Sequence, residues 1–147
     1  MRKINTRRFG ELELEDEDIV RFVHGLPAFE EEHEFVLLPY EEGTPYMFLQ
    51  SAATPELAFL MTDPFVFFPD YSFELDDANM GELGIEASED ILVCTLISIP
   101  PTGIPDMTTN LLAPVVFNKN TMEAKQVVLE KSQYTTKHRL FPKKEAK

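Results

Sequence analysis

Apolar residues recur along this chain in short runs roughly ten residues apart, separated by structure-breaking clusters of Pro, Gly, Glu and Thr. ELELE (Glu11–Glu15) alternates strictly, which sets Leu12 and Leu14 on one face of a strand and three acids on the other. DED (Asp16–Asp18) reads as a turn and IVRFV (Ile19–Val23) as the returning strand. FVLL (Phe35–Leu38), YMFLQ (Tyr46–Gln50) and LAFLM (Leu57–Met61) follow as further strands. ILVCTLISI (Ile91–Ile99) is apolar at nearly every position and predicts a central strand buried on both faces. NLLAPVVFN (Asn110–Asn118) contains Pro114, which cannot donate to a ladder, so a bulge or an edge is expected there. NKNTM is a turn, and KQVVLE (Lys125–Glu130) closes the series. This rhythm predicts an all-β, mainly antiparallel sandwich or barrel. One short helix stands out: Asp76 or Asp77 caps ANMGEL, and Gly84 sits where a left-handed terminator belongs. A second helical turn is expected from Pro27, with acids after the proline.

The densest stretch is TDPFVFFPDYSFEL (Thr62–Leu75), with five aromatic rings, two prolines, three acids and no Lys or Arg. Period two from Phe65 to Leu75 puts Phe65, Phe67, Pro69, Tyr71, Phe73 and Leu75 on one face, read as core. Val66, Phe68, Asp70, Ser72 and Glu74 fall on the other. Apolar anchors rimmed by carboxylates are what a partner site needs. Alternatively, Phe68 turns under the Pro69 kink and joins the core. The candidate partner-binding residues are Val66, Phe68, Asp70, Glu74, Asp76 and Asp77. Ile104 and Met107 are added from the loop PPTGIPDMT (Pro100–Thr108), where neither has an obvious core period. That loop is either a second contact or a mobile segment.

Charge sharpens the picture. The chain carries 13 basic and 26 acidic residues, and from Phe22 to Asn118 there are seventeen acids and no Lys or Arg. The cations lie at the two ends. Nucleic-acid affinity depends on cations that neutralise phosphates, so the domain body is not expected to bind RNA or DNA. An anionic body suits a basic protein partner and speeds its encounter; the plainer reading is solubility.

Length and composition predict one packed domain over residues 1–147, with a frayed tail at about 142–147. No apolar run reaches the roughly 18 residues of a membrane helix, and the basic N-terminus lacks a signal-peptide core. A soluble cytoplasmic protein is expected.

Signs of chemistry are few. His24, His33 and His138 have no metal-ligand spacing, and His24 reads as a turn residue. There is no nucleophile elbow and no phosphate-binding glycine loop. Cys94 lies mid-strand among apolar residues and reads as a small buried hydrophobe. DED and EEE could hold a divalent cation but lack the ligand alternation and glycine of a calcium loop, and a solvated face is the simpler reading. No enzyme activity, cofactor, metal or small-molecule substrate is expected.

GLPAFEE (Gly25–Glu31), FLQS (Phe48–Ser51), LAFLMTDPFVFFPDYSFEL (Leu57–Leu75), TNLLAPVVFN (Thr109–Asn118) and AKQVVLE (Ala124–Glu130) occur in this order. Together they resemble the flagellar assembly factor FliW family of bacteria, from RRFGELEL to YTTKHRL. The resemblance implies an all-β pseudobarrel of about nine or ten short strands with one or two short helices. It also implies a non-enzymatic cytoplasmic protein with two partners: flagellin, and CsrA, the small basic RNA-binding repressor of flagellin translation. In the family, export of flagellin releases FliW, which then sequesters CsrA. The family motifs look structural: Gly25 and Pro27 as turn residues, Asn110 tying down backbone. Two other readings stay open: a flagellin chaperone with no role in RNA control, and a ligand-binding β-barrel whose cavity is lined by Phe65–Phe73.

Overall fold

The computed structural model describes residues 2–22, 24, 26, 29–129 and 132–141. In chain order its strands are β1 (Arg2–Thr6), β2 (Gly10–Leu14), β3 (Ile19–Phe22), β4 (Glu34–Pro39), β5 (Tyr46–Ser51), β6 (Ala58–Thr62), β7 (Ile91–Ser98), β8 (Thr108–Thr109), β9 (Val115–Asn118), β10 (Glu123–Gln126) and β11 (His138–Arg139). Two short helices, α1 (Pro64–Phe67) and α2 (Asp77–Leu83), lie between β6 and β7. β1 and β2 form a separate hairpin. β3 to β7, β9 and β10 close into a seven-strand barrel, because β7 pairs with β6 and also with β9. The β10–β3 pairing is parallel and the others are antiparallel. The all-β, mainly antiparallel expectation therefore holds, with eleven strands among the described residues.

Most strands lie where the apolar runs predict. Leu12 and Leu14 are half-buried on one face of β2. The strand β1 was not expected: only Ile4 in RKINT is strongly apolar, and its burial against Leu12 comes from hairpin pairing rather than local pattern. KQVVLE is corrected. The strand covers Glu123–Gln126, and Val127 and Leu129 continue by donating to the carbonyls of Pro114 and Leu112 without regular pairing. Glu130 lies outside the described residues, as do Val23, Gly25, Pro27 and Ala28, so the helical turn expected at Pro27 and the roles of Gly25 and Pro27 fall there too. So does the segment read as a frayed tail, residues 142–147.

The interior is filled by side chains from opposite walls. Phe22 meets Phe35 and Phe117 edge-on, with centroids 5.3 and 6.2 Å apart. Val20, Leu26, Leu49, Met61, Cys94, Val115 and Ala124 complete the cluster. Among the described residues this cluster occupies the barrel axis, and none of the Phe65–Phe73 aromatics belongs to it. β7 is paired on both edges as expected, but its burial is a correction: Ile91–Val93 are half-exposed, and Ser98 and Ile99 are exposed. The strand buried at every position is β9, because Leu83 and Ile85 cover its outer face through Val116.

α2 follows its caps. The Asp76 carboxylate accepts from the Asn79 N–H, and Gly84 adopts φ +64° at the C-terminus. Asn118, fully buried, donates from Nδ2 to the Leu83 carbonyl at 2.6 Å and ties the helix to β9. Asn110 accepts the Ala113 N–H at 3.0 Å through its side chain, the backbone tie expected of it. Burial pushes the Cys94 thiol up to about 12. The folded protein should therefore resist a thiol reagent at pH 8 and react fully once unfolded in guanidinium; rapid labelling of the native form would contradict the burial.

Candidate partner-binding surface

The stretch Asp63–Leu75 does not run as one strand. Asp63 accepts the Phe65 N–H and Pro64 takes the first helical position, so a helical turn starts before period two can establish itself. Phe65, expected in the core, is turned out to 42% exposure, and Val66 to 58%. Phe68 is half-buried, its ring 5.8 Å from His138, while Phe67 packs edge-on against Phe141. Phe68 thus joins neither the barrel core nor an open outer face.

After the turn at Pro69–Asp70 the alternation resumes. Tyr71, Phe73 and Leu75 point inward, and Ser72, Glu74 and Asp76 outward. Tyr71 anchors the segment. It is buried, its hydroxyl donates to the Leu111 carbonyl at 2.7 Å, and its ring lies 4.7 Å from that of Tyr134. Burial raises the Tyr71 phenol far above its ordinary range. Tyr134 fastens the other side, its hydroxyl accepting the Ser72 N–H and donating to the Ser72 carbonyl, both at 3.1 Å. Residues 132–141 of the basic C-terminal segment therefore fold onto the acidic body, where Arg139 also pairs with Asp106 at 2.7 Å.

Between this anchored segment, α2 and β7 lies an open apolar groove of about 690 Å³. Phe65, Phe73, Leu75, Met80 and Ile91 line it, with Asp63 and Glu74 on its rim. On the other side of the segment is a second groove of about 670 Å³, lined by Val127, Val128 and Leu129 with Asp76 and Asn79. Glu74 borders both. Asp70, Glu74, Asp76 and Asp77 are exposed, and none of them forms an ion pair among the described residues. At the far end of α2, Lys125 and His24 both reach Glu82, and the Lys125 hydrogen bond holds its carboxyl below the usual range. Along α2, therefore, the acid at the C-terminal end is paired, while Asp76 and Asp77 at the N-terminal end, beside the grooves, are not paired among the described residues.

Of the residues read from the sequence, Glu74, Asp76 and Asp77 come together here. Val66, Phe68 and Asp70 stand on the α1 side of the same segment. Ile104 and Met107 do not join them: they lie beside another groove, formed with β5 and β6. Met107 is a correction, being 4% exposed, since its carbonyl accepts the Leu140 N–H and the β8–β11 pairing draws it inward. Sequence reasoning missed Phe65, Met80 and Ile91 as groove walls. The Asp-Pro pair before Phe65 was the available signal, since it starts a helix and breaks the alternation. Among the described residues no three His, Cys, Asp or Glu side chains converge as metal ligands, and no helix is long and apolar enough to cross a membrane. Asp76→Ala should lower stability by about 1 kcal/mol through loss of the α2 cap, read by urea denaturation; an unchanged midpoint would mean that the cap is dispensable.

A FliW protein family model matches residues 3–140. The chain belongs to the FliW family. This family member is 49% identical to the flagellar assembly factor FliW of Heliobacterium modesticaldum over 140 residues, 95% of this chain and 91% of that protein. Against the flagellar assembly factor FliW of Bacillus subtilis it is 42% identical over 135 residues, 92% and 94% of the two chains. A crystal structure of the flagellar assembly factor FliW superposes with a TM-score of 0.90 at 42% identity, covering 98% of this chain and all of that one.

Proposed function

We infer that this chain is a cytoplasmic, non-enzymatic flagellar assembly factor that acts by holding two proteins in turn. One is flagellin. The other is CsrA, which it sequesters from flagellin mRNA, so that flagellin translation follows flagellin export. The observation that supports this most is the apolar groove rimmed by Asp63 and Glu74, neither ion-paired among the described residues, on a body with no Lys or Arg between Phe22 and Asn118. Such a surface offers buried area to an apolar anchor and an attractive field to a basic RNA-binding protein. Docked there, the anionic body also repels incoming phosphates, so the field adds to contact in displacing RNA.

Calorimetric titration with purified CsrA, at low and high salt and with or without flagellin, tests the reading. Tight binding that weakens as salt screens the field, and that flagellin blocks, is the expected result. No heat with CsrA at concentrations where flagellin binds would leave a flagellin chaperone and overturn the CsrA role. Inhibition of CsrA–RNA binding that ignores salt would remove the field contribution and leave a steric one.

A further inference from the structure

A second apolar groove has a single charged residue among the described residues of its lining, the cation Arg8, and no acid. β6 pairs with β7 only through Met61 and Thr62, so the ladder ends and the strands part beyond Leu96. A groove of about 460 Å³ opens at this point, with Leu60, Ile99, Ile104, Tyr40 and Phe48 in its walls and Arg8 among them. Tyr40, Ile99 and Ile104 are each more than half exposed, and Phe9 stands beside them with its ring 5.9 Å from Phe48. Four of the nine large hydrophobic residues exposed among the described residues therefore gather at one place. A contiguous apolar patch of this kind marks a binding surface.

The cation is held by the fold. Thr6 Oγ1 accepts the Phe9 N–H and donates to the Gly10 carbonyl, closing the β1–β2 turn, and the Arg7 N–H donates to the Pro55 carbonyl and pins that turn to the barrel. The Arg8 guanidinium then lies 4.5 Å from the Phe48 ring centroid. Stacked on a ring, a guanidinium keeps its planar fork of donors available at the edge. Neither Arg7 nor Arg8 pairs with a carboxylate within 4.0 Å among the described residues, although Glu56 lines the adjoining recess with both. Arg2, Arg21 and Lys125, by contrast, are paired with acids of the body.

From this we propose that the Arg8–Ile104 groove docks an aliphatic-rich, acidic segment of a partner protein, its aliphatic side chains between Tyr40 and Ile104 and a carboxylate on the Arg8 fork. The proposal rests on the reading that this protein works by binding proteins. It assigns the two chemistries to different faces: a basic partner to the Glu74–Asp77 side, an acidic one to the Arg8 side.

The probes are two fluorescein-labelled peptides of equal length, one built of Leu and Glu, the other of Leu and Lys, titrated by anisotropy. On charge alone a protein of net charge −13 favours the lysine peptide. At the groove the local arginine selects the other charge: the glutamate peptide binds, Arg8→Glu weakens it by about tenfold or more, and Ile104→Asp does the same, while neither substitution weakens binding of the lysine peptide or of CsrA. Both substitutions are at exposed sites, and circular dichroism checks that each variant folds. Absence of glutamate-peptide binding, or glutamate-peptide binding indifferent to both substitutions, overturns the proposal. A wild-type dimer by light scattering that Ile104→Asp makes monomeric shows that a second copy occupies the groove, and also overturns it. Because the peptide readout uses neither CsrA nor flagellin, its failure is separable from failure of the proposed function.

Discussion

Tyr71→Ala should lower the unfolding free energy by about 3–5 kcal/mol, the range for removing a buried aromatic side chain. The ring packs on Phe65, Phe73 and Tyr134, and the hydroxyl is the donor to the Leu111 carbonyl. Tyr71→Phe keeps the ring and deletes only that donor, so it should cost about 1–3 kcal/mol. Urea denaturation followed by far-UV circular dichroism separates the two. Equal midpoints for Tyr71→Phe and wild type would mean that the hydroxyl contributes nothing. The same residue sets an alkaline limit. Its folded phenol is raised by burial, so the neutral form is favoured in the native state. That contribution is whole below the ordinary tyrosine pKa of about 10 and is lost as pH rises above it. Cys94 behaves likewise from an ordinary value of about 8.5 up to about 12. Stability should therefore fall on the alkaline side from about pH 9, less steeply in Tyr71→Phe and in Cys94→Ala. A flat profile to pH 11 in the wild type would contradict both burials.

The second large effect concerns binding. On the proposed function, Glu74→Lys combined with Asp77→Lys should reduce CsrA affinity by about tenfold or more at low salt and flatten its salt dependence. Each reversal replaces attraction with like-charge repulsion across the interface. Glu74 borders the two grooves beside α2 and Asp77 begins that helix, and neither forms an ion pair among the described residues that the substitution would break. Asp76 is left intact because it caps the helix. The stability change should stay within about 1 kcal/mol, mostly from a cation at the helix N-terminus. Titration at two salt concentrations gives the answer, and unchanged affinity at both would place CsrA on another face.

What the sequence determined by itself is what short-range physics determines. Strict alternation at Leu12 and Leu14, the apolar runs of β4 to β7, and the Asp76–Gly84 caps are each written within a few residues. They survived because the tertiary structure asks the same of them. The charge division was also legible, since it needs no coordinates. Other features were decided only when the chain closed. β1 exists because β2 pairs with it. β9 rather than β7 is buried throughout because α2, anchored by Asn118, lies over β9. Phe65 faces out because a proline-led turn outcompetes alternation, and Met107 faces in because Leu140 arrives from thirty-three positions later and bonds to it. The two apolar grooves are products of closure as well: one lies between an aromatic segment held by Tyr134 and the outer face of β7, the other where β6 and β7 part. Neither is encoded in any single window, because a groove's walls come from strands distant in sequence, and pairing rather than composition brings them together.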